Sequence, residues 1–292
     1  MLVLALDTAT PASTAALVEV TAEGIRGVAE RRTVDARAHG EKLAPEIAAT
    51  LAEAGVRAGD LGAIVAGLGP GPFTGLRVGL ATAVSMAQVL GIPTYGVCSL
   101  DALGRAAGPG RVLVATDARR REVYYATYLD GVRVVGPEVA KPADVATAVA
   151  RAIAVRAAAQ VSESEVVDAA GALSGADGAR LAATIARTDA AASADAIVRI
   201  EQARESLAGV DAANAAARVT ALVDRAAGEG ALKYAELFGV PVEEHLLYPP
   251  GAALVALAAS RIRDAAPSEP LTPLYLRRPD AVEPAGRKPV LT

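Results

Sequence analysis

The chain opens on an apolar run, Leu2 to Leu6, that stops at Asp7 and Thr8. A short continuous apolar run closed by polar residues predicts a strand buried on both faces. After small polar residues to Thr14, "TAALVEV" and "GIRGVAERRTV" alternate like a second and a third strand. The period then changes. In "HGEKLAPEIAATLAEAG", Leu43, Ile47, Leu51 and Ala54 share one helical stripe, and Gly55 is placed to stop the helix. "LGAIVAGLGPG" predicts another buried strand, running into the corner Gly69, Pro70, Gly71, Pro72, Phe73, Thr74 and Gly75. A helix is expected from Gly75 to Leu90, ended by Gly91-Ile92-Pro93.

The order then restarts. "RVLVATDARRREVYYATYLDG" reads as strand, Asp117, polar turn and strand, echoing the first twenty residues weakly in identity but faithfully in order. Two rounds of strands followed by helices, each opening on a strand that leads to an aspartate, predict a two-lobed α/β fold of the actin–Hsp70–sugar-kinase (ASKHA) layout. From about 157 to 227 the rhythm breaks into alanine-rich helical stretches, with Ser162 and Glu165 spaced as a capping box. Arg-Ala-Ala at Arg156–Ala158 recurs at Arg225–Ala227, and excising one copy with what lies between joins "RAIAVRAA" to "GEGALKY". The segment reads as an inserted helical hairpin or bundle, with an ordinary helical part of the second lobe as the alternative. The expected division is a first lobe over 1–105, a second lobe over 106–156 and 228–248, the insert over 157–227, and a C-terminal helix with a proline-rich extended tail over 249–292.

Composition narrows the function classes. Hydrophobic residues make up 52% of the chain with no Trp and only two Phe, so elements must pack closely on small side chains. A net charge of −4 and a pI near 5.4 argue against a large basic nucleic-acid face. One cysteine, Cys98, excludes an internal disulfide framework and fits a reducing cytoplasm. "MLVLALDTAT" has no basic leader before its apolar run, and no later run approaches the roughly 20 residues of a membrane span.

The candidate chemistry is sparse. Asp7-Thr8 after a buried strand suits either the orientation of a metal-bound phosphate or the capping of the following turn. The corner lacks the lysine of a phosphate-binding loop, and Pro70 and Pro72 remove two N–H groups such a loop would use. Helix-start amides after Thr74 suit an anion, whereas stiffness and close approach suit helix docking, the reading the corner favours. Gly79, Ala83 and Ala87, spaced by four, form a smooth face for a second helix backbone. Gly228-Glu229-Gly230 suits either a turn beside a nucleotide or a plain tight turn. His39 has Leu43 four residues on and His245 far away, so no metal-ligand set forms. Cys98, Ser13, Ser85 and Ser99 lack the setting of a nucleophile. Arg119, Arg120, Arg121, Arg277, Arg278, Arg287 and Lys288 are either phosphate contacts or solvated arginines and lysine.

Taken together, "LALDTAT", "HGEKLAPEI", "GLGPGPFTGLRVGL", "GIPTYGVCSLDAL", "DARRREVYYATY", "GEGALKYAELF" and "PLYLRRPDA" resemble the bacterial TsaB (YeaZ-type) family along residues 1–156 and 228–290. The resemblance implies a cytoplasmic, non-catalytic scaffold in the formation of N6-threonylcarbamoyladenosine in tRNA. The partners implied are a TsaD-like paralogue as heterodimer, a TsaE-like ATPase, and tRNA through the complex, with either a homodimer or a monomer when the partner is absent. It implies no catalytic or metal residue and no cofactor on this chain, ATP and metal belonging to the partner subunits. TsaD-type enzymes resemble the chain around His39 but carry a second histidine where Leu43 stands. The helical pairing implied for the family places His39, Leu43, Ile47, Leu51, Leu76, Gly79, Ala83 and Ala87 at the partner interface. Gly69–Gly75 is then a structural loop, and Asp7, Thr8, Asp117, Gly228 and Gly230 a vestigial nucleotide site. Two other readings stand beside it: an ATP-dependent phosphotransferase using Asp7 and Asp117 with magnesium, and a metallopeptidase-like enzyme.

Overall fold

The computed structural model describes residues 1–145, 147–149 and 223–277. Five strands form the first sheet: β1 (Leu2–Asp7), β2 (Ala12–Val20), β3 (Ile25–Val34), β4 (Leu61–Gly67) and β5 (Thr94–Val97), in the order β3-β2-β1-β4-β5. β1 runs antiparallel to β2 and parallel to β4. The second sheet repeats this plan with β6 (Arg111–Arg119), β7 (Glu122–Leu129), β8 (Val132–Ala140) and β9 (Arg225–Ala227), in the order β8-β7-β6-β9. β6 is antiparallel to β7 and parallel to β9.

The alternation of β1 sorts its side chains between two layers. Val3 and Ala5 pack with Leu254, Val255, Ala258 and Ile262 of one helix, α6 (Gly251–Arg263). Leu4 and Leu6 pack with Leu43, Ile47 and Leu51 of α1 (His39–Glu53) and with Leu80, Ala83 and Ala87 of α2 (Phe73–Leu90). Both faces are covered, which is why the strand reads as an unbroken apolar run. A third helix, α3 (Ser99–Ala107), joins the two sheets: Ala102 packs in the α6 layer, while Leu100 and Leu103 meet Val112, Val114 and Tyr128 of the second sheet. The opposite face of that sheet holds Tyr125, Val145, Val149 and Phe238. Ala231 of α4 (Glu229–Lys233) and Phe238 of α5 (Ala235–Phe238) belong to this layer.

Three sequence expectations are adjusted. The second helix starts at Phe73, with Pro72 as its N-cap, rather than at Gly75, and it ends as expected on a left-handed Gly91. Asp117 lies inside β6 rather than after it, because the β6–β7 hairpin keeps pairing to Arg119–Glu122. The expected insert, 157–227, lies outside the described residues except for its last five, of which Arg225–Ala227 form the parallel edge strand β9. α2 has 18 residues with a mean hydropathy of 1.3, enough by length and composition to cross a membrane. Its apolar character is accounted for on one side by burial of Gly75, Leu76, Gly79, Leu80, Ala83 and Ala87.

Two helical glycines test this packing in opposite directions. A Cβ at Gly79 would stand 2.3 Å from Thr8 Oγ1, whereas one at Gly40 would meet nothing within 4 Å. Gly79→Ala is expected to destabilise the protein by about 2–3 kcal/mol, as overpacking of a close approach does. Gly40→Ala is expected to be neutral or stabilising by up to about 1 kcal/mol. Urea denaturation of the two variants against wild type checks both signs.

Candidate functional site

The corner between β4 and α2 is held by hydroxyl and carboxylate groups of β1 and α3. Asp7 Oδ2 accepts from Ser99 Oγ at 2.5 Å, and Asp7 Oδ1 accepts from the Ala9 N–H at 3.0 Å. Ser99 Oγ in turn accepts from the Gly69 N–H at 3.1 Å, tying the glycine–proline loop to the end of β1. Thr8 Oγ1 donates to the Gly75 carbonyl at 2.8 Å and accepts from the Gly79 N–H at 3.2 Å. Those are the two groups that one α-helical turn would join to each other, so the hydroxyl is set into the ladder of α2. Glycine is required for this contact. A Cβ at Gly67 would lie 1.8 Å from Asp7 Oδ2, and one at Gly71 would lie 2.2 Å from the Ala9 carbonyl oxygen.

The two sheets are separated at this corner by a cleft of about 540 Å³. Its walls come from the starts of α1 (Arg37, His39, Gly40) and α2 (Phe73, Thr74, Gly75), the β6–β7 hairpin (Asp117, Arg119, Tyr124) and the tail (Tyr275, Arg277). Phe73 and Tyr275 stack with ring centroids 4.9 Å apart, and the Arg77 guanidinium lies 3.8 Å over the Phe73 ring. Arg277 donates to the Ala118 carbonyl at 3.0 Å and to Glu122 at 2.5 Å, clamping the tail to the hairpin. At the hairpin tip Arg119, Arg120 and Arg121 have φ of 60°, 50° and 60°, a left-handed run that side-chain-bearing residues adopt at a cost of about 1 kcal/mol or more each.

His39 is 7% exposed, and its Nδ1 is 2.8 Å from Ser13 Oγ. Burial lowers its pKa from the ordinary histidine value, against an opposing pull from Asp35, while Arg119 adds a smaller lowering effect. On the other side of the cleft Asp117 bridges Lys233 at 3.0 Å, and its N–H donates to Glu229 at 3.0 Å. Burial pushes the Glu229 carboxyl up to about 7. Among the described residues no three His, Cys, Asp or Glu side chains converge to hold a metal ion.

The structure redistributes the expected site residues. His39, Leu43, Ile47, Leu51, Leu76, Gly79, Ala83 and Ala87 are all buried within this chain, so they are not an exposed partner face: the sheet itself covers the smooth side of each helix. Of the expected nucleotide residues only Asp117 lines the cleft. Asp7 and Thr8 are buried and spent on the corner, which also removes Asp7 as the metal-orienting group of a phosphotransferase. Gly228 (φ 99°) and Gly230 instead let α4 dock on β6, where added Cβ atoms would come within 2.2 Å of the Ala115 oxygen and 2.7 Å of the Thr116 carbonyl carbon. In the loop, Gly71 lies against Ala9 and Gly75 against Thr8, just past the end of β1, and Gly71 to Gly75 also line the cleft. Burial pushes the Cys98 thiol up to about 12, leaving it unreactive. Sequence reasoning missed two residues. Ser13 orients His39 from 26 positions away, signalled only by a polar residue at a buried strand position, and Tyr275 reaches the corner through a tail without a periodic pattern.

Comparison with known proteins places this geometry. Residues 27–221 match the family model of TsaD, tRNA N6-adenosine threonylcarbamoyltransferase. The chain is 36% identical over 132 residues to the tRNA threonylcarbamoyladenosine biosynthesis protein TsaB of Escherichia coli, covering 44% of this chain and 55% of that protein. It is 57% identical over 152 residues to an uncharacterized protein of Mycobacterium tuberculosis, covering 52% of this chain and 71% of that one. Among solved structures, YeaZ from Pseudomonas aeruginosa superposes with a TM-score of 0.56 at 22% identity, over 94% of this chain and all (100%) of that one. The mixed α/β fold with two sheets is therefore shared with YeaZ.

Asp7 gives this corner a pH signature. Burial raises its pKa from 3.8 to about 6, against the lowering effect of the Ser99 and Ala9 hydrogen bonds. The folded state therefore holds the proton more tightly than the unfolded chain, and the Asp7 contribution to stability is lost as the pH rises from about 4 to about 6. The loss is on the order of 3 kcal/mol. Asp7→Asn does not ionise, so its stability relative to wild type should rise through that window and level off above it. Urea denaturation of both proteins at intervals from pH 4 to pH 7 checks the sign; a constant difference refutes it.

Proposed function

Because the chain belongs to the TsaD family and resembles its TsaB (YeaZ-type) members, we propose that it is a non-catalytic scaffold in the formation of N6-threonylcarbamoyladenosine in tRNA. Its partner is a TsaD-like paralogue, which supplies the chemistry. The observation that carries this reading is the fate of the His39 turn: the position where TsaD-type enzymes carry a second histidine is Leu43, 1% exposed and packed against β1 and β2. The matching strand orders of the two sheets support the two-lobed ASKHA layout, with 157–227 as a candidate insertion. ATP and the metal are assigned to the partner subunits, with a TsaE-like ATPase and tRNA joining through the complex, in the cytoplasm. A phosphotransferase using Asp7 and Asp117 is disfavoured, since Asp7 is enclosed by Ser99 and the Ala9 amide.

The surface left for the paralogue is the outer side of α1 and α2, which pack side by side. α1 exposes Ala44, Ala48 and Ala52, and α2 exposes Ala81, Val84, Ser85, Gln88 and Val89. Val84 is 46% and Val89 85% exposed, and Arg77 is the one charged residue between Phe73 and Leu90. Small side chains on two adjacent helices suit close packing against a like pair, the geometry of a four-helix bundle. The sheet-facing and partner-facing residues of each helix are therefore different sets.

Gel filtration of the chain with its cognate TsaD-like protein is expected to give a stable heterodimer at micromolar concentration. Ala48→Arg combined with Val84→Arg, on the outer side of the helices, should weaken association at least ~100-fold by burying unpaired charge, with unchanged unfolding. A reconstituted tRNA modification assay should lose activity when the chain is omitted or carries this pair of changes. Full modification without the chain, or no association with the partner, refutes the scaffold reading.

A further inference from the structure

We propose that the Glu229 carboxyl is a proton-operated latch: protonated, it holds the β6–β7 hairpin against α4, and ionised, it lets the hairpin go. This goes beyond the scaffold reading and does not depend on it. On its parallel side β6 is paired only as far as Val114, opposite Ala227 at the end of β9. The chain then turns at Gly228 (φ 99°) into α4, while β6 runs on to Arg119. At Asp117 a side chain takes over from the strand that has ended: the amide donates to Glu229 Oε1 at 3.0 Å. Asp117 passes the constraint on, since its Oδ1 accepts from the Arg119 N–H at 3.2 Å and its Oδ2 from Lys233 Nζ at 3.0 Å. The hairpin and α4 are thus joined through Glu229 and Lys233.

The far oxygen makes this joint switchable. Glu229 Oε2 is buried and has no hydrogen-bond partner among the described residues. A neutral carboxyl tolerates that enclosure, whereas a carboxylate there is a desolvated charge with one oxygen unanswered. The charged and titratable groups around it do not compensate. Asp117 on β6 adds a like charge, and Lys233 on α4 is spent on Asp117. From the loop before α6 comes Tyr248, with Arg32 of β3 lying 5.7 Å from the centre of its ring. Glu243 in that loop pairs with Arg225 and with His245, and Glu244 is exposed. Burial, with Asp117 adding to it against the pull of backbone N–H groups, pushes the Glu229 carboxyl up to about 7.

A switch also needs a second arrangement to move to. Arg119, Arg120 and Arg121 at the hairpin tip are held at φ of 60°, 50° and 60°, so release relieves backbone strain. Arg277 keeps its own hold on the hairpin through Glu122 and the Ala118 carbonyl, which confines the opening to the α4 side. The docked carboxyl holds its proton more tightly than a released one in water, at 4.5. Opening therefore grows as the pH rises from 4.5 to about 7 and levels off above that.

The test is amide hydrogen exchange of the full chain from pH 5 to pH 8, corrected for the intrinsic rate, with carbon-13 NMR of the Glu229 carboxyl. The carboxyl is expected to titrate near 7. Opening at the Asp117 and Arg119 amides should grow about 10-fold between pH 6 and pH 8, while amides of β1 show no such rise. Glu229→Gln keeps the acceptor for Asp117 and is neutral throughout, so it should hold the hairpin closed and abolish the rise. A carboxyl that titrates near 4.5, opening that is flat with pH, or a rise that persists in Glu229→Gln overturns the latch. Pairing with a TsaD-like partner, on the outer sides of α1 and α2, is untouched by any of these failures.

Discussion

One hydroxyl fixes the arrangement from which the rest follows. Thr8 Oγ1 bonds at once to the Gly75 carbonyl and the Gly79 amide, and it can do so only because neither helix residue has a side chain. α2 is thereby drawn onto the end of β1, closer than any helix with a Cβ at that point could come. The Asp7–Ser99–Gly69 chain of hydrogen bonds then locks the incoming loop from the other side. A buried carboxyl is tolerated because it accepts two hydrogen bonds, and its raised pKa measures what burial still costs. Asp7 and Thr8, which look like catalytic residues after a first strand, are here the fastening of a corner.

Much of this was legible from periods. β1 to β4, α1, α2 and α6 follow from alternation, helical spacing and glycine stops, and the structure moves their ends by a residue or two. The side of a helix on which a covering element lies was not legible. Leu43, Ile47 and Leu51, or Gly79, Ala83 and Ala87, mark a packed face whether the cover is the chain's own sheet or a partner, because both demand the same small or apolar side chains. The sheet claims these faces, while the outer sides of the same helices, with Ala48 and Val84, carry a weaker pattern. Long-range polar pairs were also invisible: nothing local to Ser13 announces His39, and nothing in the tail announces that Tyr275 will meet Phe73.

The same displacement separates the cleft from the helix sides. A helix has an end as well as a circumference, and α2 uses both. Its inner side is spent on the sheet, its outer side is apolar and open, and its N-terminus faces the cleft with amides that proline and glycine neighbours cannot cap. Pro72 as N-cap offers no side-chain oxygen to N–H groups two and three residues on, whereas Ser, Thr or Asp there would satisfy one of them. The residue that starts the helix therefore also leaves its first turn open.

That choice has a consequence for how the chain relates to enzymes of its family. A site that holds a metal must gather several negative or neutral ligands, and the His39 turn offers one imidazole followed by a leucine locked in the core. Converting Leu43 to a histidine would not build such a site, because the leucine fills space between α1 and the sheet, and a polar ring placed there would lack partners. The position four residues after His39 is thus committed to packing, while the surroundings of that histidine, Arg37, Arg119 and two helix starts, have the opposite charge preference from a cation site. A corner built to dock a helix on glycine leaves donors rather than metal ligands at its mouth, because Asp7 and Thr8 are spent on holding the corner together.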